Sequence, residues 1–183
     1  MRMVMTFLLG GMIGLGLNGI PARMSQPDHQ HPLIKDHGRV VDPAGTAAMP
    51  QSGAKVVLDI TADRNAGRPA DGLDRAAMLY NLYAAAGVPP ERIRVTVVLH
   101  GEAVRAALTD DAYARYAADG PNPNLELIRR LRQAGAEVYV CRQALARHGY
   151  TIEQVSPEVT VAASAATVNI SRQMDGYAYL PFH

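Results

Sequence analysis

The sequence predicts an α/β fold with a mostly parallel sheet. From residue 55 onward short β-branched and apolar runs alternate with helical periodicities, and turns marked by Gly and Pro separate the two. Strand–helix alternation of this kind builds right-handed βαβ units, whose helices cover both faces of the sheet. With 183 residues, 48% of them hydrophobic, the chain can bury one sizeable core, so one domain with appendages is the expected organisation.

The first strand is read at residues 55–61, Lys-Val-Val-Leu-Asp-Ile-Thr, an apolar run of the length and composition of a strand buried on both faces. After turn residues 67–72, Leu73, Ala76, Ala77, Tyr80 and Ala84 recur at helical spacing, and Gly87, Pro89 and Pro90 stop the helix. A second strand at 93–99 runs into His100 and Gly101. A short helical stretch at 103–108, a Tyr- and Ala-rich stretch at 110–118 and a turn at 120–123 follow. Tyr80, Tyr83, Tyr113 and Tyr116 fall at helical spacings and read as core or interface positions. Asn124 is a cap candidate for a helix carrying Leu127, Ile128 and Leu131 and ending at Gly135. Residues 137–140 form a third strand, with Cys141 its last residue or the first beyond it. A short helix at 143–148, a fourth strand at 159–162, a helix at 165–174 and a last strand at 177–180 complete the pattern.

Ahead of the domain, Arg2 precedes an uncharged Gly-rich run ending near Ile20, the pattern of a secretory signal with a break after Ala22. A bilayer-spanning helix needs about 20 apolar residues, and this run is slightly short and interrupted by glycines. A cleaved signal over 1–22 and a periplasmic location are therefore expected, with an uncleaved anchor as the alternative. Residues 23–54 hold Pro27, Pro32, Pro43 and Pro50 with little apolar periodicity and read as a tether or loosely ordered arm. His29, His31 and His37 lie in it. Neutral imidazoles ligate zinc or copper, but solvated linker histidines are the commoner case, so no metal is assigned.

Eighteen Lys and Arg against seventeen Asp and Glu leave no excess positive charge for a phosphate backbone, which argues against a nucleic-acid partner. No Gly-x-Gly-x-x-Gly or Gly-Lys-Ser/Thr follows a strand, so no nucleotide cofactor is expected. In an open parallel sheet the ligand site forms at the carboxyl ends of the strands. That rule selects Asp63 and Arg64 after the first strand, His100 and Gly101 after the second, Cys141 and Arg142 after the third, and Ser164 after the fourth. A single cysteine cannot close an internal disulfide. Cys141 is then either a buried small hydrophobe or a thiol made acidic by a helix start, with Arg142 or Arg147 adding charge. His100 is either a proton partner on the same rim or a turn histidine bonded to a loop carbonyl. Ser164 reads as the cap of the helix that follows it, because Ala163-Ser164-Ala165 is no nucleophile elbow.

The segments Val98-Leu99-His100-Gly101-Glu102-Ala103 and Val140-Cys141-Arg142-Gln143-Ala144-Leu145, with residues 161–165 and 173–182, resemble the DsrE/DsrF-like family of sulfur-relay proteins. The resemblance spans residue 55 to the C-terminus. It implies a three-layer α/β/α domain over 55–183 with a five-stranded parallel sheet. It also implies homo-oligomers, commonly trimers or hexamers, and sulfur carried as a persulfide on one cysteine for a donor or acceptor protein. Cys141 matches that cysteine by position, and Arg142 stands where Gly is frequent in similar sequences.

Three functions follow as expectations. In the first, a periplasmic protein accepts or carries sulfane sulfur on Cys141, with His100 as proton partner and Arg142, Gly101, Asp63 and Ser164 around the substrate. The second is a non-catalytic oligomeric module binding a small ligand or protein on the same rim. The third, a metal carrier, would use the histidine-bearing arm.

Overall fold

The computed structural model describes residues 28–63, 67–116 and 120–183. The signal segment 1–22 and Arg64 lie outside the described residues. Strands β1 (Lys55–Ile60), β2 (Arg94–Leu99), β3 (Glu137–Cys141), β4 (Thr160–Ala162) and β5 (Ala178–Phe182) form a five-stranded sheet in the order β4-β3-β2-β1-β5, every neighbouring pair parallel. Helices α1 (Asp71–Ala85), α2 (Asp110–Tyr116), α3 (Asn124–Gln133), α4 (Arg142–Arg147) and α5 (Ala165–Met174) complete it, with 3-10 turns between.

The strand order explains the layering. From β1 to β4 each crossover advances in one direction, and right-handed crossovers then put α1 and α3 on one face. The chain returns through α5 to place β5 beside β1, so α5 lies on the opposite face. β1 and β2 are buried along almost their whole length, as doubly covered strands must be. β5 runs through Pro181 to Phe182, two residues past the expected strand, because residues 178–182 all register against β1. It is an edge strand, where a residue lacking an N–H is tolerated.

On the first face Leu73, Ala76, Ala77 and Tyr80 of α1 pack with Leu127, Ile128 and Leu131 of α3 over Leu58, Ile60, Val97 and Leu99. Gly72 is required for this approach, since a Cβ there would stand 2.4 Å from the Ile60 side chain. Both helices end as expected on left-handed glycines, Gly87 and Gly135. Tyr80 and Tyr113 are core residues.

Two local expectations are revised. Asn124 does not cap α3. Pro123 occupies that position, and the buried Asn124 side chain instead accepts the N–H of Ala70, the residue just before α1, at 2.7 Å. The second concerns residues 28–54, which lie against the helices. Ile34 and Val40 are buried, and Gln30 and Val40 form an antiparallel bridge. Asn81 of α1, itself buried, holds the arm by accepting from the N–H groups of Leu33 (2.9 Å) and Ile34 (2.7 Å). Its amide donates to the carbonyls of His37 (2.8 Å) and Gly38 (2.9 Å). Gly38, at φ 59°, sits so close to α1 that a Cβ would reach 2.0 Å from the Met78 nitrogen. One buried amide thus takes up backbone groups of residues 33–38, alongside the buried Ile34 and Val40, a link that no periodicity reveals.

Asn81→Ala should lower the unfolding free energy by about 2–4 kcal/mol, because it leaves several buried backbone groups unpaired. Chemical denaturation measures the loss, and limited proteolysis should then cut within residues 28–54 before the domain.

Candidate functional site

Side chains alternate across a strand, so the pairing Thr96↔Glu137 and Val98↔Tyr139 fixes which residues share a face. Thr96, Val98 and His100 lie on the same face as Glu137, Tyr139 and Cys141, and the Thr96 hydroxyl donates to Glu137 at 3.3 Å. Helix α5 covers this face. Its Arg172 pairs with Glu137 and stands 6.0 Å from the Tyr139 ring and 5.2 Å from the Tyr177 ring. The face over β1, β2 and β3 is therefore partly polar, in contrast to the apolar packing under α1 and α3.

Cys141 ends β3, pairs with Ala162 of β4 and stands immediately before α4. It is a free thiol, 5% exposed, set among core residues. One strand over, His100 continues β2 in extended conformation and donates its N–H to the Ile60 carbonyl at 3.0 Å. Among the described residues, no hydrogen bond joins its ring to a loop carbonyl. His100 Nε2 instead lies 2.8 Å from Asp59 Oδ1.

Asp59 is the residue that the motif reading missed. It is a carboxylate in the apolar run of β1, 5% exposed, registered between Val98 and Pro181. The Tyr179 hydroxyl of β5 donates to Asp59 Oδ2 at 2.6 Å. Burial alone would raise the Asp59 pKa, but hydrogen bonds from His100, Tyr179 and Asn169 together with the charge of His100 outweigh it, and the carboxyl is held below its ordinary 3.8. The same hydrogen bond pushes the Tyr179 phenol up to about 12, so it stays a donor. The available signal was a lone acidic residue inside a doubly buried strand, which must find donors wherever the fold puts it.

The remaining candidates divide. Gly101 has φ 54° and a Cβ there would stand 2.8 Å from the Thr61 carbonyl, so the glycine is needed to turn the chain after His100. Asp63 is half-buried, and its carbonyl accepts from Arg105 at 3.3 Å. Arg142 is exposed and lines an open cavity of about 270 Å³ with Leu145, Tyr150 and Glu153 along α4. Ser164 caps α5, its hydroxyl accepting from the Thr167 N–H at 3.1 Å. Among the described residues, His, Cys, Asp and Glu side chains gather nowhere in a group of three that could hold a metal ion, and no helix is long and apolar enough to cross a membrane.

The DsrE/DsrF-like family profile matches residues 55–182. Among solved structures, a protein of unknown function from Methanobacterium thermoautotrophicum, MTH1491, is similar with a TM-score of 0.51 at 22% identity, covering 70% of this chain and 99% of that chain. The ychN protein from E. coli gives a TM-score of 0.46 at 14% identity, again covering 70% of this chain and 99% of that chain. The first likeness establishes the α/β fold. No curated protein matches the chain.

The depressed Asp59 pKa sets a sign for acid stability. Its contribution is fully present above the ordinary value of 3.8 and is lost as pH falls through the lower folded-state value. Asp59→Asn should therefore unfold more easily at neutral pH, by about 1–3 kcal/mol. Its stability should also fall less steeply than that of the parent below pH 3.8, which denaturation curves at stepped pH would measure.

Proposed function

This chain belongs to the DsrE/DsrF-like family, and on that premise we propose that it is a periplasmic protein that takes up sulfane sulfur on Cys141 and passes it to a partner. The observation that carries the reading is the juxtaposition on adjacent strands, on one face, of the only thiol in the sequence and an imidazole already engaged by a carboxylate. The family supports sulfur relay in general. The periplasmic part rests on Arg2 and the uncharged run after it.

In the proposed step His100 takes the thiol proton and the Cys141 thiolate attacks the outer sulfur of a polysulfide, persulfide or thiosulfate donor. A new S–S bond forms at Cys141, and the donor's own bond to that sulfur breaks. The donor leaves with the bonding electron pair, as a shortened polysulfide, a thiolate or sulfite. An acceptor thiolate then attacks the outer sulfur and returns Cys141 to the thiolate, so no external oxidant or reductant enters. Arg142, at the first position of α4, contributes positive charge beyond the strand end. Assembly with further copies is part of the proposal, supported by the exposed apolar side chains Ile170, Met174 and Leu180 on α5 and the edge strand.

A second reading, a non-catalytic oligomeric binding module of the cell envelope, is favoured by the burial of Cys141. The two separate cleanly. After incubation with polysulfide or thiosulfate, the intact mass of the purified protein should rise by whole sulfur atoms, and Cys141→Ser should show no such gain. His100→Gln should slow uptake at neutral pH by about 10²-fold. A protein whose thiol alkylates in the folded state yet never gains sulfur belongs to the second reading.

A further inference from the structure

We propose that Asp59 is the positioning residue of this site, holding His100 in the tautomer that leaves a lone pair for the Cys141 proton. The inference rests on the sulfur-uptake reading for its chemical consequence, but not for its geometry. Three adjacent strands, β3, β2 and β1, present a thiol, an imidazole and a carboxylate in that order, with Cys141, His100 and Asp59 on the α5 face. A nucleophile, a base and a group that orients the base form the recurrent constellation of covalent catalysis.

Stability alone does not call for a carboxylate at this position. A buried charge is seldom better for stability than an apolar side chain of similar volume, and the residues flanking Asp59 in the strand, Leu58 and Ile60, show that this sheet packs aliphatic groups without difficulty. The site nevertheless gathers donors for it from two further elements. Tyr179 reaches it from β5 at 2.6 Å, and Asn169 comes from α5. Those donors keep it anionic, and only an anion is a pure acceptor. Its Oδ1 lies 2.8 Å from His100 Nε2, an ion-pair distance, and in the proposal this acceptor favours the ring form with hydrogen on Nε2 and an unprotonated Nδ1. It also stabilises the imidazolium that forms once the thiol proton has moved. The titratable groups that the neighbouring strands bring to this end of the face are Asp59, Tyr179 and Cys141.

The tautomer is read directly by long-range ¹H–¹⁵N correlation on histidine-labelled full-length protein at about pH 8, where an ordinary imidazole is neutral. The His100 resonances are identified by their loss in His100→Gln. In the parent protein His100 should show hydrogen on Nε2. In Asp59→Asn, whose amide can donate to the ring, that signature should weaken or invert. Sulfur uptake at neutral pH should then fall by about tenfold or more, and the pH profile of Cys141 alkylation should shift. Hydrogen on Nδ1 in the parent overturns the proposal without any variant, so an unfolded Asp59→Asn cannot shield it. A folded Asp59→Asn with the parent's tautomer and alkylation profile overturns it as well. A parent that takes up no sulfur removes the sulfur reading, while the imidazole signature still decides the role of Asp59.

Discussion

An ionised carboxylate in the middle of a covered parallel sheet has to be solvated by the protein, and the fold on the α5 side is arranged around that requirement. Taking such a group out of water costs several kcal/mol unless donors replace the lost hydration. Asp59 gets its donors from three places that the chain reaches only after long excursions. His100 arrives at the end of β2, Tyr179 comes from β5, 120 residues further on, and Asn169 comes from the helix between β4 and β5. β5 must therefore add on the outer side of β1 and α5 must cross the sheet for the carboxylate to be satisfied. The return of the chain through α5 and the polarity of β1 are two aspects of one constraint.

That constraint divides the molecule. The face under α1 and α3 is almost wholly aliphatic, closed by close contacts such as Gly72 on Ile60, and overlaid by the arm that Asn81 holds. The α5 face carries Asp59, His100, Tyr139, Tyr179 and the Arg172–Glu137 pair. Apolar packing tolerates substitution by volume, whereas a connected polar network tolerates loss of none of its members without leaving an unpaired group. Chemistry is better supported on the second face, where each side chain has its orientation set by a partner.

The two halves differed in how far the sequence revealed them. Strands, helix spans and the stop glycines are local signals: the apolar run of β1, the spacing from Leu73 to Tyr80, and Gly87 and Gly135 at helix ends. The rule that ligands gather at strand carboxyl ends brought His100 and Cys141 forward together, and the strand order makes them neighbours. Ser164 was legible as a cap because its partner, Thr167, is three residues away. Asp59 was visible as an oddity in its strand, but its donors are not local, and nothing in residues 55–61 names Tyr179 or Asn169. The arm failed for the same reason: its order depends on Asn81, a polar residue in the middle of a helix whose side chain points at a segment more than forty residues earlier. Asn124 looked like a cap by composition, and its pairing with Ala70, 54 residues away, overrode the local preference. Short-range chemistry was readable. Long-range hydrogen bonding between polar singletons was not.

The burial of Cys141 bears on how a sulfur site could work outside the cytoplasm. Oxidation of a cysteine beyond the useful state follows its thiolate character and its exposure together. A site that raised both would lose its thiol in an oxidising compartment. At 5% exposure, Cys141 is shielded. In the proposed chemistry the covered sulfur limits access, and the imidazole on the next strand, beside Asp59, would take the thiol proton as a donor sulfur approaches. His100 is the more open member, its side chain 28% exposed, so proton exchange with solvent can proceed through the ring while the sulfur remains shielded. In the proposed chemistry reactivity rests on the fixed geometry of the base on the adjacent strand, and that geometry traces back to the single carboxylate in β1.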